Sequence, residues 1–297
     1  MARIVGIDLG SYSVKAVALT TTLRGFQVAG FWEERLHAPL EGQSAAQALA
    51  ATVKALLGRL GFAADTIVCG LPGSSTVTRL LHLPFTDQRK IDQIVPFEVG
   101  EQLPFDIDDV ILDHQVVATL DGAADVLVAA VRKTDMNELL DALKAVQVDP
   151  RVLVLDTVPY LALAQQVIPP EPESPPYAIV DLGHQHTSVS IIGAGGLQYV
   201  RTLSRGGAAV TDAIAVALGV DRATAMEAKH RHGGWDFAQA PEPGSDDYKV
   251  QEAIDGVVRR LILDLRQTFQ AHAAQKRGRV GKIYLCGGSA RLSRVDE

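Results

Sequence analysis

An apolar run, an aspartate and a glycine-bearing turn follow one another in Ile7-Asp8-Leu9-Gly10-Ser11-Tyr12-Ser13-Val14-Lys15. The residues before Asp8 are apolar, and Val14 to Thr20 are mostly β-branched or small, which predicts two strands joined by the turn. A strand that ends in Asp beside such a turn offers backbone N–H groups for phosphate oxygens and a carboxylate for a cation. A single stretch of this kind is usually an ordinary turn, since Asp and Gly favour turns for local reasons, so the outline of a metal-nucleotide site depends on whether the stretch is repeated.

The same pattern returns 173 residues downstream, where Val180-Asp181-Leu182-Gly183 leads through a polar turn into a second β-rich run from Thr187 to Ile192. Because the surroundings match as well as the four residues, the repeat predicts a duplicated two-lobe architecture. One turn from each lobe would then hold the phosphates, and Asp8 and Asp181 would face a magnesium ion through its retained waters.

The residue types around both turns suit phosphate binding. Gly10 and Gly183 would let phosphate approach the main chain, and the hydroxyls of Ser11, Ser13 and Thr187 would add donors. For Lys15 two interpretations stay open: it neutralises a phosphate, or it points to solvent.

Composition excludes several classes of protein. The chain has 297 residues, 28 Lys and Arg against 35 Asp and Glu, a formal charge of −7 and no basic block, which argues against nucleic-acid binding. Cys69 and Cys286 are too few and too far apart for a disulfide framework or a cysteine zinc site. No apolar run reaches the roughly 18–20 residues that cross a bilayer. The P-loop, Rossmann and α/β-hydrolase signatures are absent.

Periodicity and turn residues outline the remaining elements. A helix capped by Ser44 and stopped by Gly61 precedes a buried strand at Thr66 to Leu71, and the five prolines of residues 169–176 mark a boundary between lobes. The stripe of Leu261, Leu265 and Phe269 predicts a core-facing helix. Other predicted elements are a helix from Asp87, a strand at 126–131, a helix at 135–146, a strand at 152–155, a helix that starts near Pro159, helices at 208–218 and 250–275, a polar loop at 233–247, and a last strand ending at Cys286.

Together with Leu285-Cys286-Gly287-Gly288-Ser289, the two aspartate turns resemble the phosphate and adenosine motifs of the actin, Hsp70 and sugar-kinase superfamily. Within it the chain is most similar to the PilM family of type IV pilus assembly and to the cytoplasmic part of GspL of type II secretion, which these residues do not separate. The more specific marks are Leu83-Pro84-Phe85, Glu101-Gln102-Leu103-Pro104-Phe105, Asp113-His114-Gln115 and Arg205-Gly206-Gly207.

The resemblance implies an actin-like, RNase H-like duplicated α/β fold with two lobes and an inserted subdomain placed as in FtsA. The expected first lobe is residues 1–168, with its core at 1–81 and 151–168 and the insert at 82–150. After the linker at 169–176, the second lobe is expected at 177–297. One of its subdomains is expected to combine 177–207 with 281–297, and the other to be 208–280. The second lobe is expected to end before the fold of its relatives is complete.

The resemblance also implies ATP and magnesium as ligands and, at most, a slow ATPase. Its motifs place the metal at Asp8 and Asp181 and the nucleotide at Asp8, Gly10, Ser11, Tyr12, Ser13, Lys15, Asp181, Gly183, His184, Gln185, Thr187, Gly206, Gly207, Lys229, Gly287, Gly288 and Ser289. Met226 stands where relatives carry an acid, and His184-Gln185-His186 is bulkier than the family turn. Both departures favour a lower nucleotide affinity.

The implied partner is the cytoplasmic tail of a PilN-like inner-membrane protein, or a membrane segment of the protein itself. It would dock in a groove of Leu83, Pro84, Phe85, Phe97 and Phe105. A hexameric secretion ATPase of the GspE/PilB type and a second copy of the chain in a homodimer are further expected partners. The expected location is the cytoplasmic face of the inner membrane.

Two other functions stay open: a sugar or small-metabolite kinase, for which no general base is evident, and an FtsA-like filament former.

Overall fold

The computed structural model describes residues 2–168, 174–193, 196–232, 241–275 and 277–292. In these residues the strands are β1 (Arg3–Leu9), β2 (Ser13–Thr22), β3 (Gly25–Arg35), β4 (Thr66–Leu71), β5 (Val77–Leu83), β6 (Val110–Leu120), β7 (Ala123–Arg132), β8 (Val152–Leu155), β9 (Tyr177–Leu182), β10 (Thr187–Gly193), β11 (Gly196–Leu203) and β12 (Lys282–Cys286). The helices are α1 (Ala45–Gly58), α2 (Gln88–Gly100), α3 (Lys133–Ala145), α4 (Val158–Val167), α5 (Gly207–Leu218), α6 (Arg222–His232) and α7 (Asp246–Ala274). The chain divides into two compact units, Met1–Pro169 and Pro170–Glu297.

The first unit is built on a five-stranded sheet with the order β3-β2-β1-β4-β8. β1, β2 and β3 form an antiparallel meander, whereas β4 runs parallel to β1 and β8 parallel to β4. Parallel neighbours bring the carboxyl ends of β1, β4 and β8 to one edge of the sheet, which is where open α/β sheets bind ligands. Asp8 lies at this edge.

The second unit repeats this arrangement. β9, β10 and β11 form an antiparallel meander, and β12 runs parallel to β9. The pair Leu9 and Val14 in the first unit has its counterpart in Leu182 and Thr187 in the second, so both turns have four residues. The duplicated architecture predicted from the repeat is confirmed.

Two helices cover one face of the first sheet. Ser44 caps α1 through a capping box with Gln47, as its position in the sequence predicts. The helix ends at Gly58, slightly before Gly61, which follows in a left-handed conformation with φ +74°. α3 packs against α1, and its Leu143 is fully buried in the core formed by the sheet and α1.

A second sheet of the first unit contains β5, β6 and β7 in antiparallel pairs. α2 starts at the predicted place, with Asp87 as its N-cap, and buries Ile91, Val95 and Val99 against this sheet. The pairing of β5 with β7 begins at Val77, before residue 82, where the inserted subdomain was expected to start. α3 falls within the expected insert at 82–150 but packs on α1 in the first core.

The second unit has two apolar clusters. Leu261, Leu265 and Phe269 of α7 pack on the sheet, which confirms that this stripe faces the core. The amino-terminal half of α7 packs with α5 and α6 around Ile214 and Ile254. Because α7 serves both clusters, it connects the sheet with the two shorter helices.

Some predicted segments fall outside the described residues: 169–173 of the proline-rich linker and 233–240 of the polar loop. Residues 174–176 of the linker have no regular secondary structure. β5, β6, β11 and α6 were not predicted from the sequence. Within the described ranges, no helix combines the length and the apolar character needed to span a membrane.

Leu143→Ala is expected to lower the free energy of unfolding of the first unit by about 2–5 kcal/mol, because it opens a cavity where α3 meets the sheet and α1. Leu163→Ala is the matched control, since Leu163 is a half-exposed residue of α4. Urea denaturation followed by circular dichroism measures both changes. Equal effects of the two substitutions would contradict the packing of α3 in this core.

Candidate functional site

Both aspartate turns are closed by the same backbone contact. A Cβ added at Gly10 would lie 2.5 Å from the carbonyl oxygen of Ser13, and one at Gly183 would lie 2.7 Å from that of His186. Gly183 also donates its N–H to the His186 carbonyl at 3.0 Å. The turn itself therefore requires glycine at both positions, because of the carbonyl three residues later, independently of the predicted role of these glycines in admitting phosphate.

Asp8 and Lys15 face each other across the first turn. They are paired in the β1–β2 register, and Lys15 Nζ lies 3.3 Å from Asp8 Oδ2. Both side chains are substantially exposed, so the pair contributes little to stability and remains open to a ligand. Glu33 lies opposite Lys15 on β3 and thus on the same face of the sheet. The edge carries one cation between two carboxylates.

The Ser13 hydroxyl is used inside the protein. It is buried and donates to Glu33 Oε1 at 2.5 Å, so the hydroxyl is already used in this structure, and its role as a donor to phosphate stays a prediction. The ring of Tyr12 is covered by the Arg35 guanidinium at 5.2 Å, and its carbonyl accepts from Leu36 N–H. Ser11 is half-buried in the same turn. This turn is held by β3 and the residues that follow it.

Thr187 likewise has a structural role. Its hydroxyl is completely buried and donates to the Arg205 carbonyl at 2.7 Å, so this hydroxyl is also already used, and its role toward phosphate stays a prediction. Arg205 forms an ion pair with Asp264 of α7 at 3.4 Å. These contacts fix the chain immediately before Gly206 and Gly207.

The amino terminus of α5 is docked onto the second turn. Gly207 donates its N–H to the Gly183 carbonyl at 3.0 Å, and Ala208 donates to the His184 carbonyl at 2.7 Å. The Ser289 hydroxyl also donates to the Gly183 carbonyl, at 2.9 Å. Helix amino termini normally leave their first N–H groups without intrahelical partners. Here the turn satisfies two of them.

Lys229 of α6 is buried beside this helix terminus. Its side chain is 6% exposed, and Nζ donates to the Gly207 carbonyl at 3.0 Å and to Thr211 Oγ1 at 2.9 Å. Burial lowers the pKa of the Lys229 ammonium, and repulsion from Arg222 lowers it further. A buried ammonium is costly unless it is hydrogen-bonded. The two bonds hold this cation at the start of α5.

The last turn packs against the carboxyl end of β9. Gly287 has φ +89°, and a Cβ there would overlap Asp181 Oδ1 and lie 2.6 Å from the Leu182 carbonyl. Gly288 begins the 3₁₀ turn that carries Ser289. The structure thus brings together Asp181, Gly183, Gly206, Gly207, Lys229, Gly287 and Ser289, seven of the residues predicted from the sequence.

Two histidines flank Gln185 in the second aspartate turn. His184 and His186 lie in the turn between β9 and β10, with Gln185 exposed between them. Burial lowers the pKa of His186, which favours a neutral ring. Across the described ranges, no group of three His, Cys, Asp or Glu side chains is arranged to hold a metal ion.

The predicted partner groove divides into core and surface. Leu83 is 6% exposed and packs under α2 beside half-buried Phe85, so Leu83 belongs to the core rather than to an open groove. Phe97 on α2 is 80% exposed, and Pro84 is exposed. Phe105 is partly exposed and stacks beneath the Arg132 guanidinium at 5.4 Å. Pro84, Phe97 and Phe105 remain available for contact.

Sequence reasoning missed two carboxylates near the first turn. Glu33 is the hydrogen-bond partner of Ser13, and Asp156 follows β8 at the sheet edge that also carries Asp8. Asp156 Oδ2 accepts the Gly73 N–H at 2.9 Å and so holds the loop after β4. The signal for Asp156 was present, because an Asp after a buried apolar run is the pattern of Asp8 and Asp181. Glu33 had no such signal.

Adding a methyl group at Gly206 is expected to destabilise the second unit, because a Cβ there would lie 2.5 Å from the His184 carbonyl and 2.7 Å from the Gly183 carbonyl. We expect Gly206→Ala to cost about 1–3 kcal/mol. The control is Gly256→Ala in α7. A Cβ at Gly256 has no atom within 4 Å, so this substitution should stabilise the helix by about 0.5–1 kcal/mol. Thermal denaturation measures both, and a neutral Gly206→Ala would contradict this docking of α5.

Comparisons with known proteins identify a family and a fold. The family model for the type IV pilus assembly protein PilM matches residues 6–297. Among solved structures, the PilM-PilN type IV pilus biogenesis complex is similar with a TM-score of 0.80 and 24% identity, over 98% of this chain and 83% of that chain. MreB5 of Spiroplasma citri bound to ADP is similar with a TM-score of 0.58 and 12% identity, over 100% of this chain and 88% of that chain.

A third similar structure is the ethanolamine utilization protein EutJ from Carboxydothermus hydrogenoformans. Its TM-score is 0.51 at 15% identity, over 99% of this chain and 79% of that chain. At these identities the structural likeness establishes the fold, which is that of the actin-like ATPases. The match of the family model over residues 6–297 adds the family. The chain belongs to the family of the type IV pilus assembly protein PilM.

Proposed function

We propose that this chain binds Mg·ATP through its two aspartate turns and its adenosine-like turn. The observation that carries the proposal is the repeated turn, in which a glycine packs on the carbonyl three residues later and an aspartate stands at the end of the preceding strand. Similar folds include a protein solved with ADP. A duplicated strand-end turn in this fold is a suitable place for a phosphate chain.

The donors near the first turn fit magnesium and phosphate. Asp8 offers exposed carboxylate oxygens, the ligand type that Mg²⁺ prefers, and magnesium usually keeps several of its waters. Lys15, 3.3 Å from Asp8, supplies the positive charge that a phosphate oxygen needs. When bound, magnesium would neutralise part of the phosphate charge. Asp181 is the corresponding carboxylate of the second unit.

Lys229, Gly207 and Ser289 are proposed to contact the nucleoside. Gly207 approaches the Ser289 hydroxyl so closely that a Cβ would overlap it, and the same Cβ would lie 3.5 Å from Lys229 Nζ. The absence of a side chain at Gly207 keeps open the space between the hydroxyl and the ammonium. Donors on a rigid helix start and a short turn are positioned before the ligand arrives.

We further propose that the nucleotide-bound chain is a scaffold of a type IV pilus or type II secretion platform at the inner face of the inner membrane. The family match supports pilus assembly, and the similar structure is a PilM-PilN complex. The exposed aromatic ring of Phe97, with Pro84 and Phe105, offers the apolar surface on which a short cytoplasmic segment of a PilN-like protein would dock. Aromatic anchors commonly dominate such interfaces.

ATP with magnesium is expected to raise the melting temperature, and Asp8→Ala is expected to abolish the rise by removing the carboxylate that faces the metal. At ten times the Kd, the ligand adds about 1.4 kcal/mol. That gain corresponds to roughly 3–6 °C for a domain of this size. Differential scanning fluorimetry with ATP, with and without magnesium, makes the measurement.

The control for that experiment is Asp141→Ala, which removes an exposed carboxylate of α3 away from the turn. It should leave the ATP-dependent rise unchanged. If millimolar ATP with magnesium does not change the melting temperature of the unsubstituted chain, the nucleotide proposal is overturned. The scaffold proposal would then depend on the partner experiment alone.

Phe97→Ala is expected to weaken binding of a synthetic peptide with the sequence of a PilN-type cytoplasmic segment by about tenfold or more, because it removes an exposed aromatic anchor. Phe26→Ala is the matched control, since Phe26 is equally an exposed phenylalanine but lies on β3. Fluorescence anisotropy with a labelled peptide gives both dissociation constants. Unaltered binding to Phe97→Ala would place the partner elsewhere.

A further inference from the structure

One face of α7 combines exposed arginines with exposed apolar side chains. Arg259, Ile262, Leu263 and Arg266 follow the spacing of residues on one side of a helix, and Arg260 flanks them. Ile262 is 41% and Leu263 56% exposed. None of the three arginines has an ion pair among the residues that the structure describes. We call these five residues the basic face of α7.

The first unit carries an exposed patch of opposite charge. Its acidic turn consists of Glu101 at the end of α2 and the 3₁₀ turn with Asp106, Ile107, Asp108 and Asp109, all of them exposed. The two segments are contiguous, because a Cβ at Gly100 would lie 3.7 Å from Ile107 Cδ1.

Basic groups near the acidic turn do not cancel its charge. Lys133 Nζ donates to the backbone carbonyl of Asp108, and Arg79 donates to that of Gln102. Arg132 forms an ion pair with Asp135 of α3. The carboxylates of Glu101 and Asp109 have no ion pair in the described part of the chain. They are available to a cationic surface.

We propose that the basic face of α7 docks the acidic turn of a second copy of this chain. The two surfaces complement each other, with three arginines around Ile262 and Leu263 on one and four carboxylates around Ile107 on the other. Opposed charges give such a contact its orientation, and the apolar centres supply burial.

The two surfaces are different, so the contact is heterologous. Such contacts close into a ring if the rotation between copies permits, and otherwise extend into a filament. The contact is also expected to weaken with salt, because exposed charges are screened beyond about 8 Å at physiological ionic strength. Neither property requires nucleotide or a membrane partner.

The first experiment measures the mass of the purified chain by analytical ultracentrifugation over a concentration series at low and high salt. Mass should rise with concentration at low salt and fall back when salt is added. Arg259→Glu with Arg266→Glu should weaken the association roughly 100-fold or more, because like charges would then face each other across the contact. A mass of one copy at every concentration overturns the proposal.

The control for net charge is the double variant Arg24→Glu with Lys54→Glu. It reverses two exposed cations, Arg24 in the turn before β3 and Lys54 on α1. Both double variants lower the net charge by the same amount. Only the α7 variant should lose the association. Equal losses in the two variants would attribute the effect to net charge and overturn the assignment of the surface.

A mixing experiment tests the pairing of the two surfaces. Glu101→Arg with Asp109→Arg reverses the acidic turn, and this variant alone should remain a single copy, as should the α7 variant alone. Mixed in equal amounts, they should associate, because each reversed surface then meets its complement on the other chain. If the mixture stays monomeric while the unsubstituted chain associates, the two faces do not bind each other.

Discussion

The close approach of a glycine to the carbonyl oxygen three residues later is the constraint on which both halves of this protein depend. At Gly10 and Gly183 any side chain would collide with main chain. This contact makes each turn four residues long and thereby sets the pairing of Leu9 with Val14 and of Leu182 with Thr187. Strand register in turn decides that Asp8 and Asp181 stand at the carboxyl edges of their sheets, where the sheet can offer them to a ligand.

Much of the polar chemistry around these turns holds the protein itself together. Ser13 bonds to Glu33, Thr187 to the Arg205 carbonyl, and the first N–H groups of α5 to the second turn. A site built in this way is rigid before any ligand binds, because each group that shapes it is already hydrogen-bonded. As a consequence, fewer hydroxyl groups remain available to bind phosphate. Asp8, Lys15, Asp181 and Lys229 are the charged groups at the turns proposed to bind the ligand.

The surfaces proposed for protein partners differ in chemistry and in place. The membrane partner is assigned to aromatic side chains around Phe97, where exposed apolar area dominates. Association between copies is assigned to charge, with arginines on α7 and carboxylates beside Ile107. Since aromatic anchoring depends little on salt and charge pairing depends on it strongly, the two kinds of contact respond differently to ionic strength.

The amino-acid sequence by itself determined the duplicated turns, the capped start of α1 and the core-facing stripe of α7, because these are local patterns of Asp, Gly, Ser and apolar spacing that backbone sterics and periodicity interpret directly. It also carried the marks of the family. Only the tertiary structure decided that the hydroxyls of Ser13 and Thr187 are already used, that Leu83 is core whereas Phe97 is surface, and that α3 packs on α1. Each of these depends on which distant residue, such as Glu33 or Arg205, the fold brings within hydrogen-bond distance, and spacing along the chain contains no record of that.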